Sequence, residues 1–199
     1  MIPFFPEPIQ LFDVSCLNWI QENIANPVLD VFFTVITHLG DAGIFWIAMA
    51  VVMLFFKKTR KIGITMGVAL VLGLILGNGV LKNVVGRVRP FDLDGAFGSM
   101  KTVEDLLVPK PGDKSFPSGH TLASFESAFV LLWRDKRFGI PAIFIAILVA
   151  FSRLYLYLHY PTDIIGGILL AGLNAFLAVL IVDGIYKKIE SKKKLKLNE

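Results

Sequence analysis

The sequence predicts an all-α protein, a multi-pass transmembrane helix bundle of five or six spans with an interfacial N-terminal helix. Three observations carry this. Of the 199 residues, 55% are apolar and 18% charged, against about 25% charged in an ordinary soluble domain. The apolar residues come in blocks close to the roughly 20 needed to cross a bilayer. Basic clusters alternate with those blocks as the positive-inside rule requires.

Taken in order, residues 9–24 (IQLFDVSCLNWIQENI) mix apolar and polar positions at loosely helical spacing and read as an interfacial helix. Residues 27–38 are too short to span unaided. One kinked sixth crossing through the whole stretch is the alternative. His38 closes it and reads as an interfacial polar residue. Residues 42–56 (AGIFWIAMAVVMLFF) make a short span between Asp41 and Lys57, lengthened by Leu39 and Gly40 or by lysine stems that snorkel. Residues 62–81 fit a span well. So do 115–133, with His120 and Glu126 as exceptions, 138–158, with Arg153 as the exception, and 164–182.

Charge orients these segments. KKTRK (57–61), RDKR (134–137) and the tail from Lys187, with six lysines, are all basic. Placed in the cytoplasm, all three agree with five alternating crossings. The loop 87–117 and the junction 159–163 then face outward together. The chain reads as a single membrane-embedded domain, 1–199, with its core at 41–186 and a basic cytoplasmic tail at 187–199. That tail is a topology anchor attracted to anionic membrane lipids, and no nucleic-acid partner is expected. Cys16, the single cysteine, cannot form an intrachain disulfide. No Lys or Arg precedes Lys57, so a secretory signal is not expected.

Three polar clusters share the outer side. Lys82 and Arg89 lie about two helical turns apart, so one face of a helix that Pro90 ends would carry both and leave Arg87 off it. Pro117-Ser118-Gly119 is a turn signal, with Ser118 as N-cap of a helix that aims free N–H groups outward. Gly119 lets an anion approach the backbone. In SRLYLYLHYPTD (152–163), Arg153 sits about 9 Å of helical rise below His159. A cation inside an apolar helix needs a polar cavity and a partner. Asp163 begins the next helix, where it either answers the helix dipole or holds His159 in one tautomer. Each cluster alone also fits a bland reading of snorkelling cations, a plain cap, or a terminal acid. Together they supply what phosphoryl transfer without a metal requires: cations for the equatorial oxygens and two histidines for nucleophile and acid.

The spacing Lys82-x6-Arg89-Pro90, Pro117-Ser118-Gly119-His120 and Ser152-Arg153-x5-His159-x3-Asp163 resembles the signature of the type 2 phosphatidic acid phosphatase (PAP2) superfamily. Eleven specified residues fall in order across 82–163. The chain looks most like the integral-membrane lipid phosphatases of that family, undecaprenyl-diphosphate phosphatases among them. The resemblance implies that Lys82, Arg89 and Arg153 bind phosphate, assisted by Ser118 and the Gly119 N–H. It implies that His159 attacks phosphorus to form a phosphohistidine. His120 would protonate the leaving group and then activate water, with Asp163 orienting His159. Ser152 is expected to serve a local hydrogen bond.

No cofactor and no metal are expected. The expected reaction is hydrolysis of a lipid phosphate or diphosphate at the outer face. Undecaprenyl diphosphate is preferred, and phosphatidylglycerol phosphate or phosphatidic acid is the alternative. A lipid-phosphate binding or transport protein would need only the cations, and a vanadate haloperoxidase use of the pocket sits badly with a membrane-embedded chain. Glu126 is an acid at membrane depth that marks a functional or hydrogen-bonded position. Asn78, one turn before Lys82, is a weak candidate for the cavity wall, and the long loop 91–114 is expected to select headgroups.

Overall fold

Helices form wherever the apolar blocks predict them, and their ends carry the corrections. The computed structural model describes residues 5–197, and no strand occurs among them. The order is α1 (Glu7–Asn23), α2 (Pro27–Thr37), a 3-10 turn (His38–Gly43), α3 (Ile44–Phe55) and α4 (Arg60–Gly73). A π-helical stretch (Leu74–Leu81) joins α4 to the short α5 (Lys82–Val85). Then come α6 (Gly119–Arg134), α7 (Lys136–Tyr155) and α8 (Pro161–Leu197).

Local chemistry sets the boundaries. Asn26 caps α2, its Oδ1 accepting from Val28 N and Leu29 N at 3.1 Å each, with Pro27 at the first position. Asp135 lies in extended backbone and separates α6 from α7, capping the latter through Arg137 N. The residues 9–38 therefore form two helices broken at 24–26. The face Asp13, Val14, Leu17 and Ile20 of α1 is buried.

Four helical runs are long and apolar enough to cross a membrane: Pro27–Phe55 (counted across the 3-10 turn), Arg60–Asp92, Lys136–Tyr155 and Pro161–Leu195. The fifth expected block forms α6, which at 16 residues is shorter than the others. It packs against α4, α7 and α8. Alanines 128, 142, 146, 150, 171, 175 and 178 are all buried in the shared core, and small residues of this kind let membrane helices approach closely. Trp46 of α3 fills the core and donates to Ser124 Oγ on α6 at 2.9 Å. Large apolar side chains such as Phe55, Val71, Phe144 and Leu169 stay exposed on the outside of the bundle. That is the reverse of a soluble protein's surface and suits hydrocarbon. α8, at 37 residues, runs roughly 55 Å, longer than a bilayer core, so its lysine-rich end continues the helix.

Two expected helix ends differ. The helix carrying Lys82 stops at Gly86 (φ 60°), not at Pro90. Glycine takes the left-handed C-cap at no steric cost. Arg89 therefore sits on extended chain (φ −78°, ψ 157°), and shared helical face does not explain its meeting with Lys82. Likewise α7 ends at Tyr155, before Pro161, and Tyr157 turns left-handed (φ 58°). The chain folds back so that His159 N–H donates to Arg153 O at 3.3 Å. His159 thus lies beside Arg153 rather than a helical rise above it.

Candidate active site

At one end of the bundle, the termini of α5, α6, α7 and α8 meet the 3-10 turn. The π stretch, a distortion frequent at functional sites, delivers Lys82. The loop before α6 delivers Asp113 and Ser115, and the turn after α7 delivers His159. Lys82, Arg89, His120, Arg153, His159 and Gly119 all line one cavity of about 900 Å³.

The three expected cations are buried, Lys82 at 6%, Arg89 at 3% and Arg153 at 4% exposure. Arg89 is held by its Nη1, which donates to Leu158 O at 2.8 Å. Arg153 Nη1 donates to Thr37 Oγ1 at 2.7 Å, while its buried Nε has no partner among the described residues. Ser118 caps α6, and its N–H donates to the Asp163 carbonyl at 3.3 Å, tying the two helix starts together. A Cβ at Gly119 would stand in ordinary contact with Asn78 Oδ1 (3.4 Å) and Lys82 Nζ (3.8 Å), so the backbone here lies beside Lys82. Ser152 Oγ donates to Val149 O at 2.6 Å, the local bond expected of it.

His159 is 1% exposed. Its Nδ1 faces Asp163 Oδ2 at 3.3 Å and its Nε2 faces Arg89 Nη1 at 3.2 Å. A carboxylate at Nδ1 keeps the proton there and leaves the Nε2 lone pair toward the cations. Burial, reinforced by the charges of Arg89, Arg153 and Lys82, holds this imidazole well below the ordinary histidine range. Asp163 also accepts from Ser115 Oγ (2.5 Å), Tyr160 N (3.0 Å) and Arg87 Nη1 (2.8 Å).

Four residues that matter here were not legible as such. Asp113 bridges the cations: it pairs with Lys82 Nζ and with Arg89 Nη2 at 2.5 Å. Burial raises its pKa, but the Lys82 and Arg89 contacts outweigh that and bring it down to about 2. Arg87 is stacked between the Phe5 and Tyr160 rings (3.9 and 3.8 Å) and also pairs with Asp13 of α1 at 2.6 Å. Asp41 Oδ1 contacts His120 Nε2. Ser115 stood at the start of the 115–133 block with no pattern to mark it. The expected wall residue Asn78 does line the cavity, and the loop residues Val108, Pro109 and Pro111 close one side of it.

The cavity continues between α3 and α4 past Ile47, Val51, Gly67 and Leu70 as an apolar groove. Glu126 also lines the cavity; it is 1% exposed and accepts from Asn174 Nδ2 at 3.0 Å. It is hydrogen-bonded by a neighbouring helix, the blander of the two readings. His38 pairs with Asp41 and remains largely exposed.

Comparison with known proteins agrees with this geometry. A family model described as the PAP2 superfamily matches residues 62–187. An undecaprenyl-diphosphatase of Sulfolobus acidocaldarius is 42% identical over 147 residues, 73% of this chain and 68% of that protein. The crystal structure of a transmembrane PAP2 type phosphatidylglycerolphosphate phosphatase from Bacillus subtilis superposes with a TM-score of 0.69 at 31% identity, covering 92% of this chain and 89% of that one. LpxE of Aquifex aeolicus gives a TM-score of 0.71 at 26% identity, covering 90% and 98%. With four apolar spanning runs, six signature residues lining one cavity and the family match over 62–187, the chain belongs to the PAP2 superfamily and is a membrane phosphatase.

Proposed function

We propose that this protein removes the terminal phosphate of a lipid diphosphate, with undecaprenyl diphosphate as the preferred substrate, through a phosphohistidine. The single observation that carries the reading is His159 Nε2 standing 3.2 Å from Arg89 in a cavity shared with Lys82 and Arg153. The 42% identity to an undecaprenyl-diphosphatase supports the lipid. The apolar groove that continues from the cations would hold a long chain. Phosphatidylglycerol phosphate is the second reading, supported by the Bacillus subtilis structure.

In this mechanism Asp113 yields its place on Lys82 and Arg89 to the substrate's phosphoryl oxygens. Arg153 and the Gly119 N–H complete the cradle, with Ser118 shaping it. Positioned cations aimed at developing charge supply most of the acceleration. His159 Nε2 bonds to phosphorus as the bridging P–O bond breaks, and protonated His120 gives its proton to the bridging oxygen, which departs on the lipid monophosphate. His120 then takes a proton from water. The water oxygen bonds to phosphorus, the N–P bond breaks, and inorganic phosphate leaves. Asp163 stabilises the positive charge that His159 carries while Nε2 is bonded to phosphorus. No metal takes part in this reading, and the basic clusters favour a site opening on the extracytoplasmic side with the tail in the cytoplasm.

The test is phosphate release by purified protein from undecaprenyl diphosphate, phosphatidylglycerol phosphate and phosphatidic acid, with and without chelator. His159→Ala is expected to abolish release and to prevent trapping of an acid-labile phosphoenzyme. Retained activity in that variant would remove the nucleophile assignment. A strict need for Mg²⁺ would remove the metal-free mechanism. For the membrane face, a cysteine placed in loop 91–114 of a Cys16→Ser protein is expected to react with an impermeant thiol reagent on intact cells.

A further inference from the structure

The 3-10 turn between α2 and α3 lies outside the family match, which begins at residue 62, yet it reaches the cavity. Asp41 leaves helical geometry (ψ 119°), and Ala42 (φ 49°) and Gly43 (φ 67°) follow in the left-handed region. A non-glycine residue there is uncommon and persists only where its surroundings hold it. The turn is built against His120. A Cβ on Gly40 would stand 2.5 Å from His120 Cδ2 and 2.9 Å from Val149 Cγ1, so the missing side chain makes room for the imidazole. Asp41 Oδ1 lies 2.9 Å from His120 Nε2, and Oδ2 lies 2.6 Å from His38 Nδ1. Among the described residues His120 Nδ1 has no hydrogen-bond partner.

We propose that Asp41 is a positioning residue for His120: it accepts the Nε2–H and leaves Nδ1 as the nitrogen that exchanges the proton. This rests on the reading of His120 as the acid–base group given above. The site then contains two carboxylate–histidine pairs held by opposite ring nitrogens. Asp163 takes Nδ1 of His159 and frees Nε2 for attack. Asp41 takes Nε2 of His120 and frees Nδ1 for proton transfer. The second carboxylate has an electrostatic reason to be there. Lys82, Arg89 and Arg153 all face the cavity, and an imidazolium formed when water is deprotonated adds a further positive charge. Asp113 answers Lys82 and Arg89 only while no phosphate displaces it. Asp41 is bound to His120 instead, and remains to balance the imidazolium.

The test is a double-mutant cycle on the full-length protein in detergent, with p-nitrophenyl phosphate as probe because its good leaving group keeps slow variants measurable. A general acid–base group contributes about 10²- to 10⁴-fold, and its supporting partner roughly 10- to 100-fold. Asp41→Asn is expected to lower kcat about 10- to 100-fold with KM changed less than about 3-fold, since the phosphate cradle is untouched. Asp41→Glu should recover part of the loss. In the His120→Ala background, Asp41→Asn should cost nothing more, because groups acting through one another are non-additive. Asp41→Ser, which also removes the carboxylate, should lower kcat to a similar extent, and covers the case in which Asp41→Asn fails to fold. A near wild-type kcat in Asp41→Asn overturns the proposal while leaving His120 as the acid–base group. A full further loss in the double variant does the same. Wild-type turnover in His120→Ala overturns the acid–base reading itself, and the proposal with it.

Discussion

Arg87 Nη1 lies 2.8 Å from Asp163 Oδ1, while the other oxygen of Asp163 faces His159 Nδ1 at 3.3 Å. The histidine that points at the cations is thus braced through a carboxylate by a fourth buried cation. That cation is fixed in turn by Asp13 of α1 and by two aromatic rings. Both members of the Arg87–Asp163 pair are essentially inaccessible, at 2% and 0% side-chain exposure.

Removing one partner of a buried ion pair strands the other charge and costs on the order of 3–5 kcal/mol. Arg87→Met, which keeps the aliphatic stem between the rings, is therefore expected to lower the melting temperature in detergent clearly. Its kcat should fall more than its phosphate affinity, because Lys82, Arg89 and Arg153 remain. Thermal unfolding paired with steady-state kinetics checks both. An unchanged melting temperature would mean that water or Phe5 and Tyr160 compensate fully.

Asp113 pairs with Lys82 and Arg89, the cations that would hold a substrate phosphate in the proposed mechanism. Asp113→Asn should remove that competition and tighten inhibition by inorganic phosphate or vanadate, by about 10-fold, read as Ki. The pH dependence has a definite sign. With its pKa lowered from the ordinary 3.8 to about 2, the contact is fully present above the ordinary value and is lost only as pH falls through about 2. Between pH 5 and 9 Asp113 should contribute no titration to the phosphate Ki of the wild-type protein.

The bundle was legible because hydrocarbon imposes long apolar blocks, and the site's principal side chains were legible because their spacing is rigid. Arg87, Asp41 and Asp113 were not, for a physical reason. Each is a charged residue whose partner in the site is 24 to 79 positions away, and no periodicity links such pairs. The helix end at Gly86 had a signal, since a glycine directly after KNVV is a ready left-handed cap. Pro90 drew the boundary four residues too far, and with it the argument that Lys82 and Arg89 share a face. Ala42 left no trace at all, because nothing in alanine announces a positive φ.

Chain length should be read by the groove between α3 and α4. Nothing lies within 4 Å of where a Cβ on Gly67 would stand, and this position lines the cavity. A helix interior tolerates leucine well, so Gly67→Leu should fold normally and fill part of the groove. It is expected to lower kcat/KM for a long-chain lipid diphosphate more than about 10-fold and to leave p-nitrophenyl phosphate hydrolysis within about 2-fold. Equal effects on both probes would place the lipid chain elsewhere.

Glu126 separates two kinds of burial at membrane depth. It accepts a hydrogen bond from Asn174 on α8, and a side chain at Gly73 of α4 would run into its carboxylate. The acid is therefore a spacer between α4 and α8 as much as a polar group. Glu126→Gln keeps the shape and an acceptor for Asn174, and is expected to leave the melting temperature within about 2 °C. Glu126→Leu removes the acceptor and leaves a buried amide unpaired, a loss of about 1–3 kcal/mol, visible as a lower melting temperature in detergent. A lipid headgroup drawn down to Glu126 would give the opposite order, with Gln already impairing turnover while stability is unchanged. Measuring kcat/KM and melting temperature on the same preparations decides between a packing acid and a binding one.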